Sequence, residues 1–456
     1  MSDSISEPRT PTSPRSATLL LLLAAVLFQA QAALPDQAKP AAYIDGAPVH
    51  ALTLRALRHA ASEQPDRPSA EAVLATIVAD RLQAPWSRKR FSAAQLYPAS
   101  TVGFAPQATV EQRLAGLVRS LYARELDAAV RALPGASLDS LVEATYPLDP
   151  PTLERLFGAP GALRLGYDFT PEQAALAART PLLRYRLGAG PALTLSVLDV
   201  YRRQNVQGRM AFFQREHDVM LAQARQQLAS LFVLDWAGRH CGAAALADLR
   251  QALDEQETVR GAMRLYGLAD GAEAHSPLQA ALARQVSPAE IGAYYTAHID
   301  QFRRIDKVRA RHIRVGSEAL AQRIRAELAA GKDFGTLARR HSLAPSAARG
   351  GDLGWIRRSA APDWLSALAL QQPAGTVSSP FRAAVGPQAP ATWELLLVAR
   401  RVEGVYPPDS ETVRYMARRA IAHERARAEF AGVRTALVRA ARVELMPTPP
   451  DATGAP

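Results

Sequence analysis

Histidine and cysteine are the side chains most often asked to do covalent or metal chemistry near neutral pH, and this chain uses them sparsely. Its nine histidines are scattered, and its single cysteine, Cys241, can form neither an intramolecular disulfide nor a cysteine-based metal centre. Cys241 follows Leu234, Trp236 and His240, which reads as a partly buried helical thiol; the adjacent His240–Cys241 pair lacks the spacing of two ligands on one helix face. Walker-type loops, zinc spacings, Gly-x-Ser-x-Gly elbows and Rossmann glycine patterns do not stand out. Two features remain that suit non-covalent chemistry. One is His312, set in the alternating run Val308-Arg309-Ala310-Arg311-His312-Ile313-Arg314-Val315, the period of a half-buried strand. The other is the turn Gly350-Gly351-Asp352-Leu353-Gly354-Trp355, whose glycines allow positive φ and a close approach to a neighbouring strand. Taken by itself, His312 reads as a core histidine.

The elements that must position these residues are legible as a change of texture. Before residue 304 the chain is mostly helical. Tyr43-Ile44-Asp45-Gly46 enters a hairpin turn that Ala47-Pro48-Val49 would complete. Helices are expected from Leu52, around 71–90 (Val73, Leu74, Ile77, Val78 and Leu82 on one stripe) and over about 109–145. The segment Gly190–Leu195 echoes Gly46–Leu54, and an internal duplication of 41–145 in 185–300 is one reading; two unrelated Ala-rich segments are the other. Ser287-Pro288-Ala289-Glu290 opens a helix with a capping box. Beyond the strand at 308–315, Ser317 and Asp333 cap helices, a short helix is expected at about 363–370, and strands at Thr376–Ala384 and Thr392–Arg401. Residues 409–441 form a long Arg-rich helix with Val413, Met416, Ala420, Phe430, Val433 and Leu437 at helical spacing, so it must bury a stripe. Val443-Glu444-Leu445 could pair with Tyr43–Ile44.

The ordered set Tyr294-Tyr295, Phe302, Val308–Ile313, Gly331-x-Asp333-Phe334-x-x-Leu337-Ala338, Ser342, Gly350–Trp355 and Gly375-x-Val377-Ser378-x-Pro380 resembles the parvulin-type peptidyl-prolyl isomerases. It is most similar to their periplasmic SurA-like branch, where that domain accompanies a mostly helical chaperone domain. The resemblance implies an α+β protein: a helical chaperone-like region at 33–304, a parvulin domain at 305–402 with a four-stranded antiparallel sheet surrounded by helices, and a C-terminal helix, strand and tail at 403–456. The helix would pack back on the N-terminal region. It further implies a reaction with no covalent step and no cofactor or metal: rotation of an X-Pro amide over a barrier of roughly 18–20 kcal/mol. Such a site needs an apolar cup for the proline ring and a few well-placed polar groups.

By the same resemblance His312 is the first of the family's paired histidines, and Glu394, after Trp393, stands where the second is usual. Leu353 would wall the proline pocket. Trp364 or Leu365 would supply its aromatic position, and Ala361 falls where a Met is frequent. Gly350, Gly351, Asp352 and Gly354 form the structural turn. Ala344 replaces the family's usual Cys or Asp, and Gly386–Pro390 reads as a lengthened loop. The polar pair is thus half replaced, which leaves two functional expectations. One is a peptidyl-prolyl isomerase and folding factor for unfolded, Pro-containing exported polypeptides. The other is a weak or inactive holdase chaperone or secretion accessory that uses the domain to dock peptides.

Composition and targeting agree with export. With 48% hydrophobic and 21% charged residues the chain can bury cores. Its net charge of +11 comes mostly from Arg spread along helices, which reads as solvated faces. A membrane-surface or nucleic-acid role for the Arg-rich 409–441 helix is the competing reading, and an export signal argues against nucleic acid. That signal is expected in residues 1–32: Arg9 and Arg15, the apolar run Ala17–Phe28, then Ala30-Gln31-Ala32. Cleavage after Ala32 would leave no stable membrane insertion and a periplasmic protein. An uncleaved signal anchored in the inner membrane is the alternative.

Overall fold

A computed structural model describes residues 35–446 apart from 63–66, 99–102, 160, 162–165, 270–275, 360 and 385–389. The expected signal segment and most of the Gly386–Pro390 loop lie outside the described residues. Those described fall into two compact units. One combines the chain up to Leu278 with the chain from Ala426 onward; the other is Gln279–Arg425.

The discontinuous unit is mostly helical. Its N-terminal hairpin, Pro40–Ile44 with Ala47–His50, turns on Asp45 (φ 48°) and Gly46 (φ 82°), the left-handed pair that a tight hairpin requires. The C-terminal strand Val443–Leu445 completes this sheet, pairing Tyr43 with Glu444 and Ile44 with Val443 as the sequence suggested. The last turns of helix Glu411–Ala440 belong to the same unit: Phe430 stacks edge-on against Tyr266 at 5.4 Å. Helix Ala70–Arg90 forms where the apolar stripe predicts. The helical block expected over 109–145 is shorter. Helices Pro106–Leu121 and Ala123–Arg131 give way near Pro134 and Gly135 (φ 65°), and Val142–Thr145 is a strand paired with Pro181–Arg186. Pro181–Arg186 also pairs with Ala192–Ser196, so the second segment again runs from hairpin to helix, the pattern behind the duplication reading.

Three helices of this unit are pinned by a buried ionic cluster. Arg81 donates to Asp248 (2.7 Å) and Glu255 (3.1 Å), both on helix Ala243–Leu265. Asp248 also accepts from the Thr53 hydroxyl at 2.5 Å and the His50 amide at 2.8 Å, at the start of helix Ala51–Ala61. With every charge paired and hydrogen-bonded, the cluster tolerates burial that isolated charges would not.

The second unit holds a four-stranded antiparallel sheet in the order Asp352–Arg357, Arg303–Val315, Trp393–Val405, Phe381–Arg382. Alternation sends Ile313, Val315 and Leu395 to one face, under helices Glu318–Ala329 and Phe334–His341. Val308, Ala310, Leu396 and Val398 go to the other, under helix Trp364–Gln371. The strand expected over Thr376–Ala384 shrinks to Phe381–Arg382, with a single bridge at Val377, because Pro380 and Gly375 interrupt the ladder. A separate cluster joins Val286, Ile291, Phe302, Val413 and Ala417, and the expected Ser287–Glu290 capping box opens the helix that carries Ile291.

Acid stabilises the helical unit in one respect. Burial pushes Asp80 up to about 6, against the opposing charge of Arg434, and burial likewise raises Glu255 against Arg81. A carboxyl more easily protonated when folded costs stability above its folded value, and that cost fades as pH falls toward the unfolded value. The melting transition of this unit is therefore expected to gain about 1 kcal/mol between pH 7 and pH 5 from Asp80. Asp80→Asn should remove that share of the pH dependence; an unchanged profile would contradict it.

Candidate active site

The ladder between the two long strands decides the site. Arg314 faces Glu394 and His312 faces Leu396, so residues 312, 314, 394 and 396 share one face of the sheet. On that face the His312 and Glu394 side chains meet, Nδ1 to Oε2 at 3.1 Å. Arg314 donates its Nε to the other carboxylate oxygen, Oε1, at 2.7 Å. His312 Nε2 meets Ser346 Oγ at 2.7 Å. The core of this chain is dry: His312 is 5%, Ser346 4% and Glu394 0% exposed.

Burial drives the Glu394 carboxyl upward, but the hydrogen bonds and charges of His312 and Arg314 outweigh it and hold the group below the ordinary range. An ionised carboxylate only accepts, so the proton between Glu394 and His312 belongs to Nδ1. In the neutral ring, Nε2 then accepts the Ser346 hydroxyl. Both ring nitrogens are engaged inside the protein, which suits His312 to positioning and electrostatics.

The glycine turn sets this geometry. The His312 amide donates to the Gly351 carbonyl at 2.9 Å, and the Gly351 amide donates to Ser346 O at 2.9 Å. A Cβ on Gly351 would lie 2.4 Å from the His312 carbonyl oxygen, and its φ is 76°. Only glycine fits there. Asp352 accepts from the Gly354 amide at 2.9 Å and from Arg309 at 3.2 Å; that backbone bond above all holds its carboxyl below the usual range. Gly350 ends the short 3₁₀ turn Pro345–Arg349 in the left-handed region. Ala344 is buried and carries no polar group, and the partner for His312 comes from Ser346, two residues on. The sequence reading passed over Ser346; its signal was a hydroxyl just ahead of the glycine pair.

Beside the polar chain lies an apolar surface. Leu353, Leu365 and Phe381 are half-buried against Val308, Ala310, Leu396 and Val398. Trp364 meets Phe381 edge-on at 5.7 Å. Phe381, directly opposite Glu394 in register, is the aromatic the sequence reading left out. Ala361 is exposed and outside this cluster, its amide bonded to Ser359 Oγ at 3.3 Å. The structure thus brings His312, Glu394, Leu353, Leu365 and Trp364 to one face and leaves Ala361 apart.

The site is thus a buried histidine–carboxylate pair beside a half-buried apolar surface on a four-stranded antiparallel sheet. Residues 306–393 match the rotamase family, described as the PPIC-type PPIase domain. The chain is similar to the chaperone SurA of Thiobacillus denitrificans, 35% identical over 153 residues, 31% of this chain and 33% of that one. It is also similar to the foldase protein PrsA of Geobacillus kaustophilus, 35% identical over 103 residues, 22% of this chain and 34% of that one. The chain thus aligns with about a third of the length of these relatives. A solved PpiC-type peptidyl-prolyl cis-trans isomerase domain is 28% identical, covering 22% of this chain and 96% of its own, with a TM-score of 0.19.

Two substitutions test the geometry. Glu394→Gln is expected to destabilise the sheet unit by about 2–4 kcal/mol at neutral pH, since it leaves a buried imidazole and a partly exposed guanidinium without their anion. Because the folded carboxyl lies below its ordinary value, its contribution is present above about pH 4.5 and is lost as pH falls, so the variant should also lose that acid sensitivity. Gly351→Ala should cost about 2–4 kcal/mol through left-handed strain and the clash with His312. Denaturant unfolding followed at neutral and acid pH checks both; wild-type stability in either variant would contradict the assignment.

Proposed function

We propose that this chain is a peptidyl-prolyl cis-trans isomerase and folding factor for unfolded exported polypeptides, with its isomerase domain at 305–402. The observation that carries the reading is the buried His312–Glu394 pair beside the half-buried Leu353, Leu365 and Phe381. The proline ring would rest on the apolar surface, with Trp364 closing one side. Loss of water around the amide carbonyl favours the twisted, less conjugated form over the planar one. The His312, Glu394, Arg314 and Ser346 chain supplies a fixed field at that point without being consumed. The helical region, 33–304 with 403–456, would hold the rest of the client.

Export through the signal expected in residues 1–32 would put this activity in the periplasm. Among the described residues no helix is long and apolar enough to cross a membrane. A second reading, a holdase with a docking-only domain, is favoured by one observation. Both ring nitrogens of His312 and both oxygens of Glu394 are already engaged within the protein.

Isomerisation of a short Pro-containing peptide separates the two. The enzyme reading expects acceleration by the wild type, a drop of about tenfold or more for His312→Ala, and a comparable loss for Leu353→Ala; a factor of ten corresponds to about 1.4 kcal/mol of barrier. Glu394→His, which restores the family's second histidine and removes a buried negative charge, should raise the rate about tenfold. Wild-type activity indifferent to His312→Ala would put the chemistry elsewhere, and no activity in any variant would favour the holdase.

A further inference from the structure

The helical unit contains a cleft of about 860 Å³ that the isomerase site does not use. Its floor is apolar: Leu57, Val73, Ile77, Val259 and the half-buried Met263. Its ionisable lining is almost all cationic, with Arg113, Arg260, Arg264 and Arg434 against a single carboxylate, Asp80. The internal pairing does not neutralise these charges. Arg113 (2.9 Å) and Arg260 share one carboxylate, Glu257, and Arg434 pairs with Asp80 at 3.2 Å. Arg264 has no carboxylate partner among the described residues and donates to the Leu96 carbonyl at 3.0 Å. Four guanidinium groups therefore face two carboxylates.

We propose that this cleft binds short extended stretches of unfolded polypeptide in which carboxylate side chains alternate with large apolar ones. Charge complementarity selects that occupant. The guanidinium groups come from three different helices, Pro106–Leu121, Ala243–Leu265 and Glu411–Ala440, and gather at three anchor points: Arg113 with Arg260 on Glu257, Arg434 on Asp80, and Arg264 on the Leu96 carbonyl. A ligand with one anionic head would meet one anchor point; a peptide with carboxylates on either side of an apolar residue can meet more than one while its apolar side chains rest between. Arginine suits the task because its planar fork pairs with carboxylates bidentately and is weakly hydrated. The volume lies within the roughly 300–1,000 Å³ of ligand-binding clefts, enough for a few side chains at a time. This assignment rests on the reading that the chain handles unfolded polypeptides, and gives that reading a preferred client chemistry.

The test is fluorescence anisotropy of the full chain at low salt with three labelled short peptides: one alternating Asp or Glu with Leu or Phe, its Asn/Gln counterpart, and its Lys counterpart. The acidic peptide is expected to bind about tenfold tighter than the amide one, the Lys peptide weakest, with the difference shrinking as salt rises. Arg260→Gln with Arg264→Gln should weaken the acidic peptide about tenfold and leave the amide peptide nearly unchanged. Met263→Asp should weaken both peptides, and Arg239→Gln, outside the cleft, neither. Equal binding of acidic and amide peptides, or indifference to the paired arginine change, would overturn the proposal. His312→Ala should leave this binding intact. Loss of peptide selectivity with isomerisation preserved would sink the cleft alone, and loss of isomerisation with selectivity preserved would sink the isomerase site alone.

Discussion

A carboxylate with no solvent exposure is the constraint on which the sheet unit depends. An unpaired charge at Glu394 would cost several kcal/mol, a large share of a domain's net stability, so its partners must arrive together. Arg314 and His312 do so because they lie two residues apart on the adjacent strand, on the same side of the pleat. A one-residue slip of the ladder would turn both away and leave the charge bare. Register, pleat and the buried anion therefore enforce one another, and the half-buried apolar surface is carried along on the same face.

The glycine turn is the second half of that arrangement. Gly351 lets the backbone of the 342–351 segment lie against the His312 strand more closely than any side chain would permit. The closeness delivers Ser346 to Nε2. Ser342 does similar work at the next residue along, its hydroxyl accepting from the amides of Arg314 and Ala344. A site built this way is preorganised by main-chain bonds, so its side chains need not be mobile to be in place.

Much of this was legible in the sequence because local rules sufficed. The alternation of 308–315, the Ser287 capping box, the Asp45–Gly46 hairpin and the glycine turn are each decided within a few residues. The place of Glu394 beside His312 was legible through strand periodicity. What stayed hidden depends on distant partners. Ser346 acquires meaning only when Gly351 closes on the strand, and Phe381 only when its two-residue strand pairs beside Glu394. The Arg81, Asp248 and Glu255 cluster joins residues more than 160 positions apart, which no window of sequence can register. The overlong helix at 109–145 failed for a local reason: Ala-rich composition outvoted Pro134-Gly135.

The most direct test of the account is nitrogen-15 NMR of histidine-labelled protein at neutral pH, with the His312 signals assigned through His312→Gln. The hydrogen bond to an ionised Glu394 requires a proton on Nδ1, and Glu394→Gln should shift that resonance more than any other histidine's. A spectrum with Nδ1 bare and the only ring proton on Nε2 would mean that Glu394 does not hold His312, and the account of the site would fail with it.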